Sequence, residues 1–178
     1  KITNNNVTVD GLTIDGNGGS LVGITDDAAY QNTTVTHNTI QNVTGSDAIS
    51  LTAGSSNNDV DTIEVSSNTL DTGIEANGIT VDVNNLNDGD EDVVDISDNT
   101  IALDSGDTTI VLDGGGNTVS ADITISGSNS NEIETDGTGT GIDLATTGTV
   151  DSNVDISALD INSTDVGITT SNAVGSFL

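Results

Sequence analysis

The chain contains no cysteine, proline, methionine, tryptophan or arginine, and its only aromatic side chains are Tyr30 and Phe177. Each absence removes a class of explanation. Without cysteine there is no disulfide framework and no thiol chemistry. Against 29 Asp and Glu stands one basic side chain, Lys1, so the formal charge is −28 and nothing is available to neutralise nucleic-acid phosphates. No apolar run approaches the length needed to span a membrane, and no signal-peptide pattern is present. A low apolar content of 32% with high net charge raises the expectation of disorder.

What is present points elsewhere. Val, Ile and Thr together make 63 of the 178 residues, and the remaining side chains are dominated by 24 Asp, 21 Asn, 21 Gly and 18 Ser. Strand formers combined with turn formers describe an all-β fold of many short strands. At this length one domain can bury a substantial core.

The decisive pattern is a repeat. Its clearest copies are Val35-Thr-His-Asn38-Thr-Ile40 leading to Ala48-Ile49-Ser-Leu51, Ile63-Glu-Val65-Ser-Ser-Asn68-Thr-Leu70 leading to Gly78-Ile79-Thr-Val81, and Val94-Asp-Ile96-Ser-Asp-Asn99-Thr-Ile101 leading to Thr109-Ile110-Val-Leu112. Looser copies begin at Val7, Ile123 and Val154. The second apolar anchor falls at positions 9, 35, 65, 96, 125 and 156, giving steps of 26, 30, 31, 29 and 31 residues. No single copy can bury its apolar positions alone. Stacked in parallel they can, with period-2 alternation placing Val and Ile inside and Thr, Asp, Glu and Ser outside.

These copies resemble the right-handed parallel β-helix repeats of the pectate-lyase-like superfamily, and the resemblance runs along nearly the whole chain. It implies an all-β, right-handed parallel β-helix, a β-solenoid of about six coils with roughly 26–31 residues per coil. It also implies a role for Asn38, Asn68 and Asn99, because the family stacks an Asn at the bend after the second strand into an internal ladder. Asn suits a left-handed bend, and its amide can bond to the amides above and below. Leu12 and Leu159 stand at the corresponding position of outer copies. Residues 1–178 are expected to form a single segment, excised from or stacked within a longer repetitive assembly.

The family's enzymes need groups this chain does not match. Pectate lyases of the superfamily use Ca²⁺ with a basic residue, and the chain has only Lys1. Asp26-Asp27 resembles the paired Asp of the related polygalacturonases, and His37 is the one imidazole, yet neither the surrounding sequence nor a basic partner fits. Catalysis is therefore not expected. Four Asn-x-Ser/Thr sequons, at Asn6, Asn32, Asn42 and Asn162, are no more than this composition produces by chance.

Acids recurring once per coil should stack about 4.8 Å apart. Asp47, Asp71, Asp104 or Asp107, Asp136 and Asp165 are candidates for one such column. The densest run is Asn87-Asp88-Gly-Asp90-Glu91-Asp92, and an oxygen-rich, Gly-containing loop of this kind makes Asn87, Asp88, Asp90 and Asp92 candidate Ca²⁺ ligands. Thr39, Thr69 and Thr100 follow the three Asn, with Thr13 equivalent in the first copy, but the neighbouring outward positions are too charged for an ice-binding face. No cofactor is required. The expected function is a structural or adhesive segment of an extracellular, cell-surface, filament or surface-layer protein. The alternative is a polysaccharide-acting or sugar-binding module. Expected partners are neighbouring solenoid coils, end-to-end copies, or a carbohydrate or cell-surface ligand.

Overall fold

In the computed structural model, the described residues are 1–17, 22–54, 60–86, 92–103, 108–115, 119–127, 132–135, 139–145, 154–163 and 165–170. They form three parallel six-stranded sheets. The first sheet holds β1 (Val7–Asp10), β4 (Thr33–Thr36), β7 (Thr62–Ser66), β10 (Asp92–Ser97), β13 (Ala121–Ser126) and β16 (Val154–Ser157) in that spatial order. The second holds β2 (Thr13–Asp15), β5 (Thr39–Gln41), β8 (Thr69–Leu70), β11 (Thr100–Leu103), β14 (Glu132–Thr135) and β17 (Asp160–Ser163). The third holds β3 (Ile24–Thr25), β6 (Ile49–Thr52), β9 (Ile79–Asp82), β12 (Thr108–Asp113), β15 (Thr140–Ala145) and β18 (Val166–Thr170). Every strand pairs with its counterparts three strands before and after it, which is the connectivity of a parallel β-solenoid.

The register carries the sequence repeat into space. In the first sheet one inward column runs Val9, Val35, Val65, Ile96, Ile125, Ile156. In the third sheet the column Ile24, Ile49, Ile79, Ile110, Ile142, Ile168 is isoleucine throughout. A β-branched residue stacked on its own kind at the strand spacing keeps one preferred rotamer and fills the space between coils without voids. Alternation does the rest: β7 and β10 read half-buried and buried in strict turn along their length. A one-residue slip would turn every Val and Ile outward, so burial fixes the register.

The glycine just before Ile79 and Ile142 has a steric reason, although Ala48 and Thr109 stand at the same place before Ile49 and Ile110. At Gly78 an added Cβ would lie 2.7 Å from the Thr109 carbonyl oxygen of the next coil, and Gly141 meets the Gly167 carbonyl at 2.6 Å. The bend between first and second sheets needs a left-handed residue, and this corrects the expectation drawn from sequence. Positive φ belongs to the residue before the ladder position, whether that position holds Asn or Leu: Gly11 at 68°, His37 at 53°, Ser67 at 56°, Asp98 at 57° and Ala158 at 55°. The three Asn themselves are not left-handed. They are selected for their amides, as the site geometry shows.

Candidate functional site

Asn38, Asn68 and Asn99 are brought together in one buried ladder, with exposures of 1%, 1% and 5%. The Asn68 side-chain oxygen accepts both the Asn38 backbone N–H and the Asn38 amide, each at 3.0 Å. Asn99 does the same for Asn68, again at 3.0 Å twice. Each amide also donates to a carbonyl of the preceding coil: Asn38 to Val9 at 3.0 Å, Asn68 to Val35 at 2.9 Å and Asn99 to Val65 at 2.7 Å. The first rung completes the logic, since Asn38 accepts the Leu12 backbone N–H at 3.0 Å. An Asn in one coil thus satisfies the buried N–H of the coil before it. Leu12 carries no side-chain amide, so the first rung is the bond from its own backbone N–H to Asn38.

His37, on the bend beside this ladder, is exposed, and Asp10 and Thr36 both approach the same ring nitrogen, Nδ1, at 3.2 and 3.0 Å. Two partners on one nitrogen do not form a relay through the ring, so the trio has the geometry of a surface hydrogen-bond group.

Asp26 and Asp27, adjacent in sequence, have opposite surroundings. Asp27 is exposed, accepts the Tyr30 hydroxyl at 2.7 Å and pairs with Lys1 at 2.9 Å. The Tyr30 bond first, then Lys1, hold its carboxyl below the usual range. Asp26 follows the paired Thr25 and so falls on the inward side of the third sheet, in the column that runs from Ile2 through Asp26 to Leu51 and Val81. Its Oδ2 accepts the Thr52 N–H at 2.6 Å. Partial burial is nevertheless the stronger effect and raises its pKa.

The acid columns differ from those expected. Asp47 accepts the Asn77 N–H at 3.2 Å, and Asn77 in turn accepts the Thr108 N–H at 3.2 Å, so Asp47 is followed by Asn77 rather than by Asp71. Asp71 continues the column of Asp15 and Gln41. Asp165 stands just before β18, whereas Asp104, Asp107 and Asp136 lie outside the described residues. True acid-on-acid neighbours occur at Glu64 and Asp95 on the first sheet and at Asp82 and Asp113 on the third. Asp143 lies diagonally next to Asp113; burial first and the Asp113 charge second raise its pKa. Asp15, Asp82 and Asp113 each close a strand by accepting the N–H two residues on, at 2.8, 2.9 and 2.8 Å. These are Asx turns, in which the side chain takes over the role of a backbone acceptor.

Of the candidate Ca²⁺ ligands, Asn87, Asp88 and Asp90 lie outside the described residues. Asp92 opens β10 with its side chain fully buried, and its Oδ1 accepts the Asp61 N–H at 2.8 Å. Asp61 is buried at the matching position of the coil before. The sequence reading takes Asp92 as a loop ligand for Ca²⁺ and does not single out Asp61. Extending the alternation two residues upstream, through Asp61-Thr-Ile63-Glu-Val65 and Asp92-Val-Val94-Asp-Ile96, would have placed both inward. Among the described residues no group of three or more His, Asp or Glu side chains is arranged to hold a metal.

No family model matches the chain. Nor does any curated protein or solved structure. The chemistry of this chain is therefore argued from its own geometry. Its elaborated interior is the Asn ladder and the apolar columns, both of which fix coil against coil. The outer faces are rows of hydroxyls and carboxylates at the strand spacing, such as Thr13, Thr39, Thr69 and Thr100 on the second sheet.

Proposed function

We propose that this chain is a structural, adhesive β-solenoid segment of an extracellular surface or filament, with the Asn-ladder bend of the pectate-lyase-like β-helices put to a non-catalytic use. The observation that carries this reading is the ladder itself, a line of buried amides tying successive coils together. Side-chain amides in a dry interior, each satisfied by the next coil, make a bend that cannot shear without orphaning donors. Rigidity along an axis is what a stalk or filament requires. The outer surface suits saline surroundings: two carboxylates stacked at the strand spacing repel by about 0.9 kcal/mol even in water, and counter-ions relieve that repulsion. Ca²⁺ is the divalent candidate, since its oxygen ligands match this surface chemistry.

The test treats the purified chain with acidic polysaccharide and follows new chain ends, with electron micrographs of the same preparation and melting curves at fixed ionic strength with and without a chelator. Rods, unchanged polysaccharide and a melting point lowered by the chelator are expected. Release of cleaved sugar would overturn the structural reading in favour of a polysaccharide-acting module, and a chelator-independent melt would remove Ca²⁺ from it.

A further inference from the structure

Acidic side chains do not meet evenly along the stack. Counting β7, β8 and β9 as the third coil and β10, β11 and β12 as the fourth, the register sets Glu64 against Asp95 on the outer face of the first sheet and Asp82 against Asp113 on that of the third. Asp61 faces Asp92 at the buried entry to the same two coils, with the Asp92 Oδ1 accepting the Asp61 N–H. Elsewhere acids meet neutral residues. Between the first and second coils Asp10 faces Thr36 and Asp15 faces Gln41; between the second and third Thr34 faces Glu64 and Thr52 faces Asp82. Between the fourth and fifth Asp95 meets Thr124 and Asp113 meets Ala145. Among the described residues the register holds one other direct pair, Glu132 with Asp160, between the fifth and sixth coils.

We propose that the junction between the third and fourth coils is a salt-governed seam, closed when ionic screening is strong and the first to part when ionic strength falls. The seam belongs to the stack itself and is independent of the use to which the segment is put. Its carboxylates are not free to swing apart. The Ser66 hydroxyl donates to Glu64 at 2.8 Å, and Asp82 and Asp113 are each held by the backbone N–H two residues on, at 2.9 and 2.8 Å. The Asp95 Oδ1 is shielded from solvent and accepts no hydrogen bond among the described residues. No base lies at the seam, because Lys1 pairs with Asp27 and His37 stands beside Asp10, and the chain has no other lysine, arginine or histidine.

Apolar columns and the ladder oppose this repulsion at the same junction. Val65 seats on Ile96, Leu70 on Ile101 and Ile79 on Ile110, while the Asn99 oxygen accepts both the backbone N–H and the amide of Asn68. Contacts between neutral groups respond weakly to a simple salt, whereas repulsion between outward carboxylates responds strongly. The Debye length is about 30 Å at 0.01 M and about 3 Å at 1 M, so only the higher concentration screens within the roughly 4.8 Å between coils. Unscreened in water, each outward pair at that spacing favours parting by about fourfold, and the two together by about twentyfold. Ionic strength therefore acts on this junction more than on its neighbours, where hydroxyls and amides face the acids.

Amide hydrogen exchange at low and high sodium chloride tests this. The Val93, Thr100 and Val83 amides cross the seam, donating to the Asp61, Asn68 and Asp113 carbonyls. Those of Thr69, Asp71 and Ala53 cross the junction before it, donating to Asn38, Ile40 and Asp82. Lowering the salt from about 1 M to about 0.01 M should speed exchange at the first three by about twentyfold more than at the second three. Glu64→Gln combined with Asp113→Asn takes one acid from each outward pair and keeps an acceptor for the Ser66 hydroxyl and the Gly115 N–H, and it should remove most of that excess. Asp71→Asn combined with Asp155→Asn removes the same charge from positions that face Ala102 and Thr124, and it should leave the excess in place. Circular dichroism of both variants checks that the fold is kept. Equal acceleration of the two sets of amides in the parent chain, or an equal effect of the two double substitutions, would overturn the seam.

Discussion

Replacing Asn68 by Ala tests the ladder at its centre, where the outcome can be worked from the bonds. The substitution removes the oxygen that accepts the Asn38 backbone N–H at 3.0 Å in a buried site. The Asn38 amide loses one acceptor but keeps the Val9 and Thr36 carbonyls, at 3.0 and 2.9 Å, and the Asn68 backbone N–H keeps Asn99. One orphaned buried donor costs about 1–3 kcal/mol, and the void left by the amide adds to it. The expected loss is about 2–4 kcal/mol, a large share of the roughly 5–15 kcal/mol that holds a domain folded. Leu12→Asn is the control, because no described coil precedes Leu12 and its position serves no upstream N–H; a change within about 0.5 kcal/mol is expected. Urea unfolding followed by circular dichroism gives the difference, with unchanged m-values required for comparison. Hydrogen exchange localises it, since the Asn38 amide should exchange faster in the variant while the Asn68 amide should not. An Asn68→Ala loss below about 0.5 kcal/mol, or equal losses at Asn68 and Leu12, would refute the argument that each Asn serves the coil before it.

Two further substitutions probe the bend and the inward acid. Ser67 sits at φ 56°, so Ser67→Val should lose about 1–2 kcal/mol by forcing a β-branched residue into the left-handed region, whereas Ser67→Gly should lose nothing; equal stability of the two in urea would refute the strain. Asp26 has its folded pKa raised by burial, so its ionisation opposes folding above that pKa, and the opposition disappears as pH falls through it towards the ordinary value of 3.8. Asp26→Asn keeps an acceptor for the Thr52 N–H and should be more stable than the parent chain at neutral pH. That advantage should fade in acid, and a pH-independent difference in urea midpoints would contradict the desolvation argument.

The repeat and the inward columns are legible in the sequence because alternation and a near-constant step are local properties. Val35, Val65 and Ile96 each stand two residues after another apolar or β-branched residue and three before an Asn. Parallel stacking is how such copies bury apolar sets that none can bury alone, and the three Asn fall at one position of that pattern. Grouping Asp47 with Asp71 follows residue type; spacing aligns Asp47 with Asn77, since each stands nine residues after its ladder Asn and two before its third-sheet Ile, and hydrogen bonding joins that pair. What only the tertiary structure decided is what the bends and the interior demand of each position. The left-handed residue is a property of the bend: Gly11, His37, Ser67, Asp98 and Ala158 have no chemistry in common, and the fold imposes one backbone conformation on all five. Asp26, Asp61 and Asp92 turn inward against the usual preference of carboxylates for solvent, since strand parity fixes the direction of a side chain regardless of its polarity. The sequence determined that this chain stacks; the stack determined which of its acids lie inside and what each meets, because those relations arise only when a residue acquires neighbours about thirty positions away.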